Sequence, residues 1–195
     1  MAITINGTGT ITGISAGGLP DGVITSDDLA SGAITAAGLP AGSILQVVQA
    51  TKTDTTSTSS TSWSDISGLS VSITPASASN KILVRYDCTV GAAAGNWSGG
   101  IKLLRDTTDI FLGDAAGSRT RATSWIWSDS TNYPMWQASN EFLDSPATTS
   151  SVTYKLQFMS AYSGTDIHIN SSYTDSDNST RGRVPSQITV MEVAA

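Results

Sequence analysis

Carboxylates are the side chains in this sequence with the widest catalytic scope. A glycoside hydrolase needs two of them, one as an acid and one as a base or nucleophile. Four are candidates: Asp87, Asp114, Asp129 and Glu141. Sequence spacing does not pair any two of them, so a glycan-degrading activity stays the least favoured alternative.

Histidine and cysteine offer little further chemistry. The single histidine, His168, lies between Ile167 and Ile169 in an alternating segment and is expected to face away from both. No Gly-x-Ser-x-Gly motif accompanies it, which favours a surface or inter-subunit polar role over a general base. Cys88, the only cysteine, continues an apolar alternation and is predicted to be buried and inert. The sequence therefore predicts a protein that is not an enzyme and needs no cofactor.

One acidic segment is superficially like a calcium loop. Oxygen-bearing side chains alternate from Asp175 onward, as a hard cation requires. Thr180 stands where that loop needs glycine, and no glutamate occupies the twelfth position. A zinc site would need more than one cysteine and one histidine. We expect a polar turn here and no metal.

The segment from Trp125 to Trp136 has the composition of a recognition site. It contains three of the five tryptophans, and its polar residues and Pro134 favour a loop. Aromatic rings beside Asp and Asn can stack on a sugar and bond its hydroxyls. The candidate glycan contacts are Trp125, Trp127, Asp129, Tyr133 and Trp136. The alternative, which the parity of Trp125 and Trp127 favours, is that these two rings pack in the core or against a neighbouring subunit. Trp63, at a strand start, is predicted to be core.

These residues must be positioned by strands, because apolar residues alternate with polar ones from Ile44 onward. The clearest alternations run over Leu69–Ile73, Ile82–Val90, Val152–Phe158 and Ile188–Val193. Weaker ones run over Ile44–Ala50, Ile101–Leu104, Ile110–Leu112, Thr120–Trp127 and Ile167–Tyr173.

About eight or nine antiparallel strands predict an all-β fold, a β-sandwich of jelly-roll type. Hairpins are expected at Arg105–Asp109 and at Ser163–Asp166. The segment Lys52–Ser62, nearly all Thr and Ser, is either a solvated loop or a polar edge strand.

A repeat of ten residues precedes the strands. Gly recurs at 22, 32 and 42, and each repeat carries one Ile and one Leu five residues apart. That offset is about 140° around a helix and puts the two on opposite faces of a strand, so neither element buries both. An extended arm that buries them against copies of itself is predicted. The residues expected to pack about its axis are Leu19, Ile24, Leu29, Ile34, Leu39 and Ile44.

The array Gly-x-Ile/Val-Thr-x-x-x-Leu, opened by Met1–Gly9 and followed at the far end by Ile188–Ala195, resembles small fibre and virion proteins of tailed bacteriophages. The resemblance covers the whole chain. It implies a homotrimer located in the virion, with residues 1–45 as an intertwined arm for attachment to other virion proteins and residues 46–195 as an exposed β domain.

Three functions follow as hypotheses. The leading one is a trimeric fibre whose β domain faces outward, with host-surface glycan as a candidate ligand. The second is a capsid decoration or cement protein, or a head fibre, that clamps the shell with its arm. The third is a glycan-degrading spike. A net charge of −6 argues against a nucleic-acid partner, and without a long apolar run neither a membrane span nor a signal peptide is expected.

Overall fold

The computed structural model describes residues 38–93, 95, 97–128 and 133–195. Predictions for Leu19, Ile24, Leu29, Ile34 and Asp129 therefore lie outside the described residues. Residues Pro40–Ala195 form a compact unit. Its eleven strands are β1 (Ile44–Lys52), β2 (Thr56–Thr58), β3 (Ser64–Ile73), β4 (Lys81–Ala92), β5 (Trp97–Arg105), β6 (Thr108–Ile110), β7 (Ser124–Ser128), β8 (Met135–Asp144), β9 (Val152–Ser160), β10 (Ile167–Ile169) and β11 (Ser186–Val193).

The strands form two antiparallel sheets. The six-stranded sheet has the order β1-β11-β4-β10-β2, with β8 on the other side of β4. The five-stranded sheet has the order β3-β9-β5-β6, with β7 also pairing β5. Without the three-residue strands, the orders are β1-β11-β4-β8 and β3-β9-β5-β7. Strands from the start of the domain thus pair with strands from its end, and the pairs that follow lie progressively closer together in sequence. This is the jelly-roll topology, and the predicted all-β jelly-roll sandwich is confirmed.

The core lies between the sheets and comes from the predicted alternation. Along β4, Ile82, Val84, Tyr86, Cys88 and Val90 are all at most 1% exposed, so they share the inner face. Strands β3, β5, β7, β9, β10 and β11 supply the remaining large buried members of the core. Burial of these apolar side chains is the main stabilising contribution to the domain.

Strand β8 was not predicted from the sequence. Its inner face carries Trp136, Ala138, Asn140 and Phe142 and ends at Asp144, so polar residues interrupt the apolar alternation. Strand β8 pairs with β4 over ten consecutive residue pairs, and this pairing holds β8 in place. Pairing with a strongly apolar neighbour therefore overrides a weak local pattern.

Of the two predicted hairpins, one is right and one is wrong. Strands β5 and β6 pair around Asp106, whose positive φ of 54° suits a tight turn. The chain after β9 instead crosses to the other sheet, where β10 pairs β4 and β2. Pairing with these two strands buries Ile167 and Ile169 completely. Of the two alternatives for Lys52–Ser62, the polar edge strand is the one that forms, as the short strand β2.

Two clusters of polar side chains join the sheets across the core. The Tyr86 hydroxyl and the Ser124 hydroxyl lie 2.8 Å apart, and Asn140 Nδ2 donates to both. At the other end of β8, Asp144 accepts hydrogen bonds from Arg105 Nη1 and the Tyr154 hydroxyl. Burial and the neighbouring Asp144 carboxylate raise the pKa of Tyr154. The polar groups of these two clusters thus have partners, as a low-dielectric interior requires.

The last partial repeat belongs to the β domain. The Gly42 amide donates to the carbonyl of Ala194, and the Ala194 amide donates to the carbonyl of Ser43. The fully buried Glu192 carboxylate accepts from Gln46 Nε2, Asn80 Nδ2 and a backbone amide. These contacts fasten the start of β1 to the end of β11.

Candidate functional site

Two tryptophans of β7 project from the outer face of the five-stranded sheet. Ile126 and Ser128 are buried, whereas Trp125 and Trp127 are 43% and 54% exposed. Strand alternation explains this pattern, because β7 turns one parity inward and the other outward. The predicted shared parity of the two rings is confirmed, and both rings point away from the core.

Trp63 joins them on the same face. An added Cβ on Gly100 of β5 would lie 2.7 Å from Cη2 of Trp63 and 3.1 Å from Cε3 of Trp125. Gly100 pairs Trp125 on one side and Met159 on the other. The missing side chain at residue 100 therefore leaves room for both rings. Trp63, Trp125 and Trp127 are called the tryptophan face below.

The prediction that Trp63 is core is wrong. It is half-buried and stands outside the core cluster. Trp63 directly precedes β3, where strand parity does not yet fix a face. The core tryptophan is Trp97, which is 1% exposed and donates through Nε1 to the Ser160 hydroxyl.

Charged side chains border the tryptophan face. Lys102 Nζ lies 4.8 Å from the centre of the Trp63 ring and forms an ion pair of 2.9 Å with Asp109. This places a cation over an aromatic ring in a partly buried setting. Asp65 accepts from Lys155 and Gln157, and the bond from Lys155 holds the pKa of that carboxyl below its ordinary value. The surface thus offers both donors and acceptors.

A groove adjoins Trp125. Arg119, Thr120 and Trp125 line a volume of about 330 Å³. Small-ligand sites start at about 300 Å³ and combine an apolar wall with a few polar groups. An indole, a guanidinium and a hydroxyl therefore meet along this open groove.

The other described aromatic candidates pack against an arginine and against the core. Tyr133 is exposed, and the guanidinium carbon of Arg181 is 3.6 Å from its ring centre. Trp136 belongs to β8 of the six-stranded sheet and packs against the core. Among the described candidates, only Trp125 and Trp127 share one exposed surface.

Of the described catalytic candidates, two share one sheet face and the third lies in a loop. Asp87 and Glu141 lie on the outer face of the six-stranded sheet, where Asp87 pairs Ser139 and Arg85 pairs Glu141. A hydrogen bond from Ser139 lowers the pKa of Asp87, which favours a carboxylate over a general acid. Asp114 lies in the exposed loop between β6 and β7.

His168 and Cys88 occupy structural positions. His168 faces away from the buried Ile167 and Ile169, as predicted, and meets Tyr173 edge to face at 5.3 Å. Burial lowers the pKa of His168, against the opposing effect of Asp166 and Asp175. Burial raises the pKa of the fully buried Cys88 to about 12, which suppresses thiolate formation.

The calcium-like segment is a polar turn engaged by arginine. Arg183 forms an ion pair of 2.6 Å with Asp175, and the Asn178 carboxamide oxygen accepts from Thr180. Within the described parts of the chain, no three His, Cys, Asp or Glu residues cluster to hold a metal ion. Across the same residues, no helix is long and apolar enough to span a membrane.

Comparisons with known proteins give structural likeness without a sequence family. No protein-family model matches the sequence, and no curated protein is similar to it in sequence. A chain of the Gx strain of infectious bursal disease virus is 13% identical over 77% of this chain and 37% of that chain, with a TM-score of 0.39. A mutant VP2 protein of infectious bursal disease virus is 10% identical over 77% and 36%, with a TM-score of 0.38. This chain thus spans little more than a third of the length of those two chains.

A third similar structure comes from a phage. The tripod from the baseplate of bacteriophage Tuc2009 is 16% identical, with a TM-score of 0.24. The match covers 100% of this chain and 81% of that chain. These three structures are components of virus particles, and the likeness is distant.

Proposed function

We propose that this protein is a homotrimeric virion structural protein of a tailed bacteriophage. Its N-terminal array assembles the trimer and attaches it to the particle. Its jelly-roll domain faces outward and binds a glycan of the host surface through the tryptophan face.

The exposure of Trp125 and Trp127 is the observation that carries the glycan-binding proposal. The domain already has a closed core, with Trp97 inside it. Large indoles left on one outer surface mark an interaction site rather than a folding requirement. Their flat faces suit the apolar face of a sugar ring, and Arg119 and Thr120 beside Trp125 suit its hydroxyls.

The array and the fold class support the virion role. Ile and Leu recurring every ten residues can be buried only against copies of the same arm. Jelly rolls serve as viral capsid domains and as lectins. Because one fold hosts many functions, the proposal depends on the tryptophan face and the array and not on the fold alone.

A capsid decoration or cement protein is the second candidate. The same trimer, clamped to the shell by its arm, would also present its β domain outward. Immunogold labelling of intact particles separates the two, since a fibre places the label on the tail and a decoration protein places it on the head.

The binding test compares Trp127→Ala with Tyr133→Ala in the full chain. Tyr133 is 52% exposed, close to the 54% of Trp127, but its ring stacks on Arg181 in the segment before β8. We expect Trp127→Ala to lose binding to purified host polysaccharide while Tyr133→Ala retains it. Equal losses, or no loss, would refute the tryptophan face as the binding site.

The same polysaccharide tests the glycan-degrading alternative. We expect no release of reducing ends after prolonged incubation with the wild-type protein. Release that Asp87→Asn or Glu141→Gln abolishes would replace the fibre proposal with that of a spike enzyme, because these carboxylates share one exposed surface.

A further inference from the structure

An apolar row crosses the outer face of the six-stranded sheet. Val47 of β1 pairs Met191 of β11, Met191 pairs Leu83 of β4, and Leu83 pairs Leu143 of β8. Their chain neighbours face the core, so these four side chains face outward. Directly opposed residues on neighbouring strands lie side by side, which makes the row continuous across four strands.

The row is exposed at both ends in the single chain, and Met191 and Leu83 between them are half-buried. Val47 is 57% exposed and Leu143 is 51% exposed. Ile44, 47% exposed, extends the apolar surface at the start of β1 and pairs Val193. The name apolar strip is used below for Ile44, Val47, Leu83, Leu143, Met191 and Val193.

The strip is confined to one end of the sheet. The next outward row contains Gln49, Thr189, Arg85 and Glu141, all polar. An antiparallel sheet with one solvated face normally carries polar residues along that whole face. Along β1 the outward side chains change from apolar to polar within two residues. This sharp boundary marks the strip as a distinct contact surface.

The chain itself indicates what covers the strip. Ile44 is the last isoleucine of the decapeptide array and also the first residue of β1. Hydrogen bonds from Gly42 and Ala194 hold the final partial repeat on the β domain. Arms that associate about a common axis therefore bring the Ile44 residues of the copies together, and the strip starts at that point.

We propose that the apolar strip faces the threefold axis and packs against the strips of the two other copies. This inference rests on the homotrimer of the proposed function and adds the surface by which the β domains meet. A closed ring of three copies buries the strip without leaving an open apolar end. The tryptophan face, on the opposite sheet, then points away from the axis.

Thiol labelling of the full chain tests this arrangement. Cys88 is buried with its pKa raised to about 12, so a new cysteine is the reactive one. Val47→Cys is compared with Ser70→Cys, an exposed position on β3 of the other sheet. Sedimentation at the labelling concentration first confirms that each variant is a trimer. In that trimer, we expect a bulky maleimide to react at least about tenfold more slowly at residue 47 than at residue 70.

The outcomes separate the inference from the proposed trimer. A trimer in which both cysteines react equally fast would overturn the strip and leave the trimer standing. A wild-type chain that sediments as a monomer would overturn both. Slow reaction at residue 47 that persists in a monomer at high dilution would show that the chain covers its own strip, and would also overturn the inference. If Val47→Cys fails to assemble, Leu143→Cys repeats the comparison at the far end of the row.

Discussion

Replacing Gly100 with alanine tests whether the tryptophan face is a positioned site. The new Cβ would stand 2.7 Å from Cη2 of Trp63 and 3.1 Å from two ring atoms of Trp125, all at the ends of side chains. Alanine in a strand is favoured over glycine by about 0.5–1 kcal/mol. Pushing a ring off its rotamer costs about 0.5–1.5 kcal/mol. The two effects largely offset each other, so we expect the free energy of unfolding to fall by about 1 kcal/mol or less.

The displaced rings should nevertheless weaken glycan binding. A loss of 1.4 kcal/mol in stacking corresponds to about a tenfold higher dissociation constant. The matched control is Gly91→Ala in β4, where the added Cβ would collide with backbone atoms of Ser171 and Ser172. Backbone atoms cannot move away as a side chain can. The free energy of unfolding of this control should therefore fall by about 3 kcal/mol or more.

Urea unfolding at one fixed protein concentration and calorimetric titration with host polysaccharide are the two assays. Fixing the concentration matters because an oligomer's apparent stability depends on it. A Gly100→Ala variant that binds as tightly as wild type would refute the role of the ring arrangement. A variant as unstable as Gly91→Ala would refute the claim that the rings are free to move.

Three further predictions concern the fold. Trp136→Ala, which removes a ring packed on the core, should lower the free energy of unfolding by about 3 kcal/mol, whereas Trp127→Ala should lower it by less than about 1 kcal/mol. Urea unfolding midpoints of the two variants measure this, and a larger loss for Trp127→Ala would contradict it. Burial would raise the pKa of Glu192, but hydrogen bonds from Asn80, Gln46 and backbone amides hold it below its ordinary value of 4.5. Its ionised form therefore stabilises the domain above about pH 4.5 and loses this effect as pH falls through the lower folded pKa. The Glu192→Gln variant should be less stable at neutral pH, and its free energy of unfolding should fall less steeply on acidification. An unchanged dependence of that free energy on acid pH would contradict this. A variant lacking residues 1–43 should keep a β-type circular dichroism spectrum and a cooperative melt, and a helical or unfolded spectrum would contradict an independent β domain.

The fold was predictable where one strand face is consistently apolar. Ile82, Val84 and Val90 alternate with more polar neighbours, so period-two patterning identifies β4 directly. β8 was not predictable in this way, because Ala138 and Asn140 on its inner face carry little apolar signal. Its position is set by pairing with β4, a non-local interaction that the segment itself does not encode.

The candidate site was predictable in composition but not in orientation. Trp125 and Ile126 are both apolar, so alternation in β7 cannot say which of them faces the core. Trp63 is distant in sequence, and only the absence of a side chain at Gly100 brings its ring beside Trp125. The apolar strip could not be predicted without the register of four strands, because Val47 and Leu143 belong to the same row only once their strands are paired.

A map of intact particles by electron cryomicroscopy tests the central proposal most directly. We expect threefold-symmetric density that fits three jelly-roll domains, with the outer faces of the β1-β11-β4-β8 sheets toward the axis and the β7 tryptophans on the outer surface. Particles that lack this protein, or that carry it as single copies, would refute a trimeric virion protein.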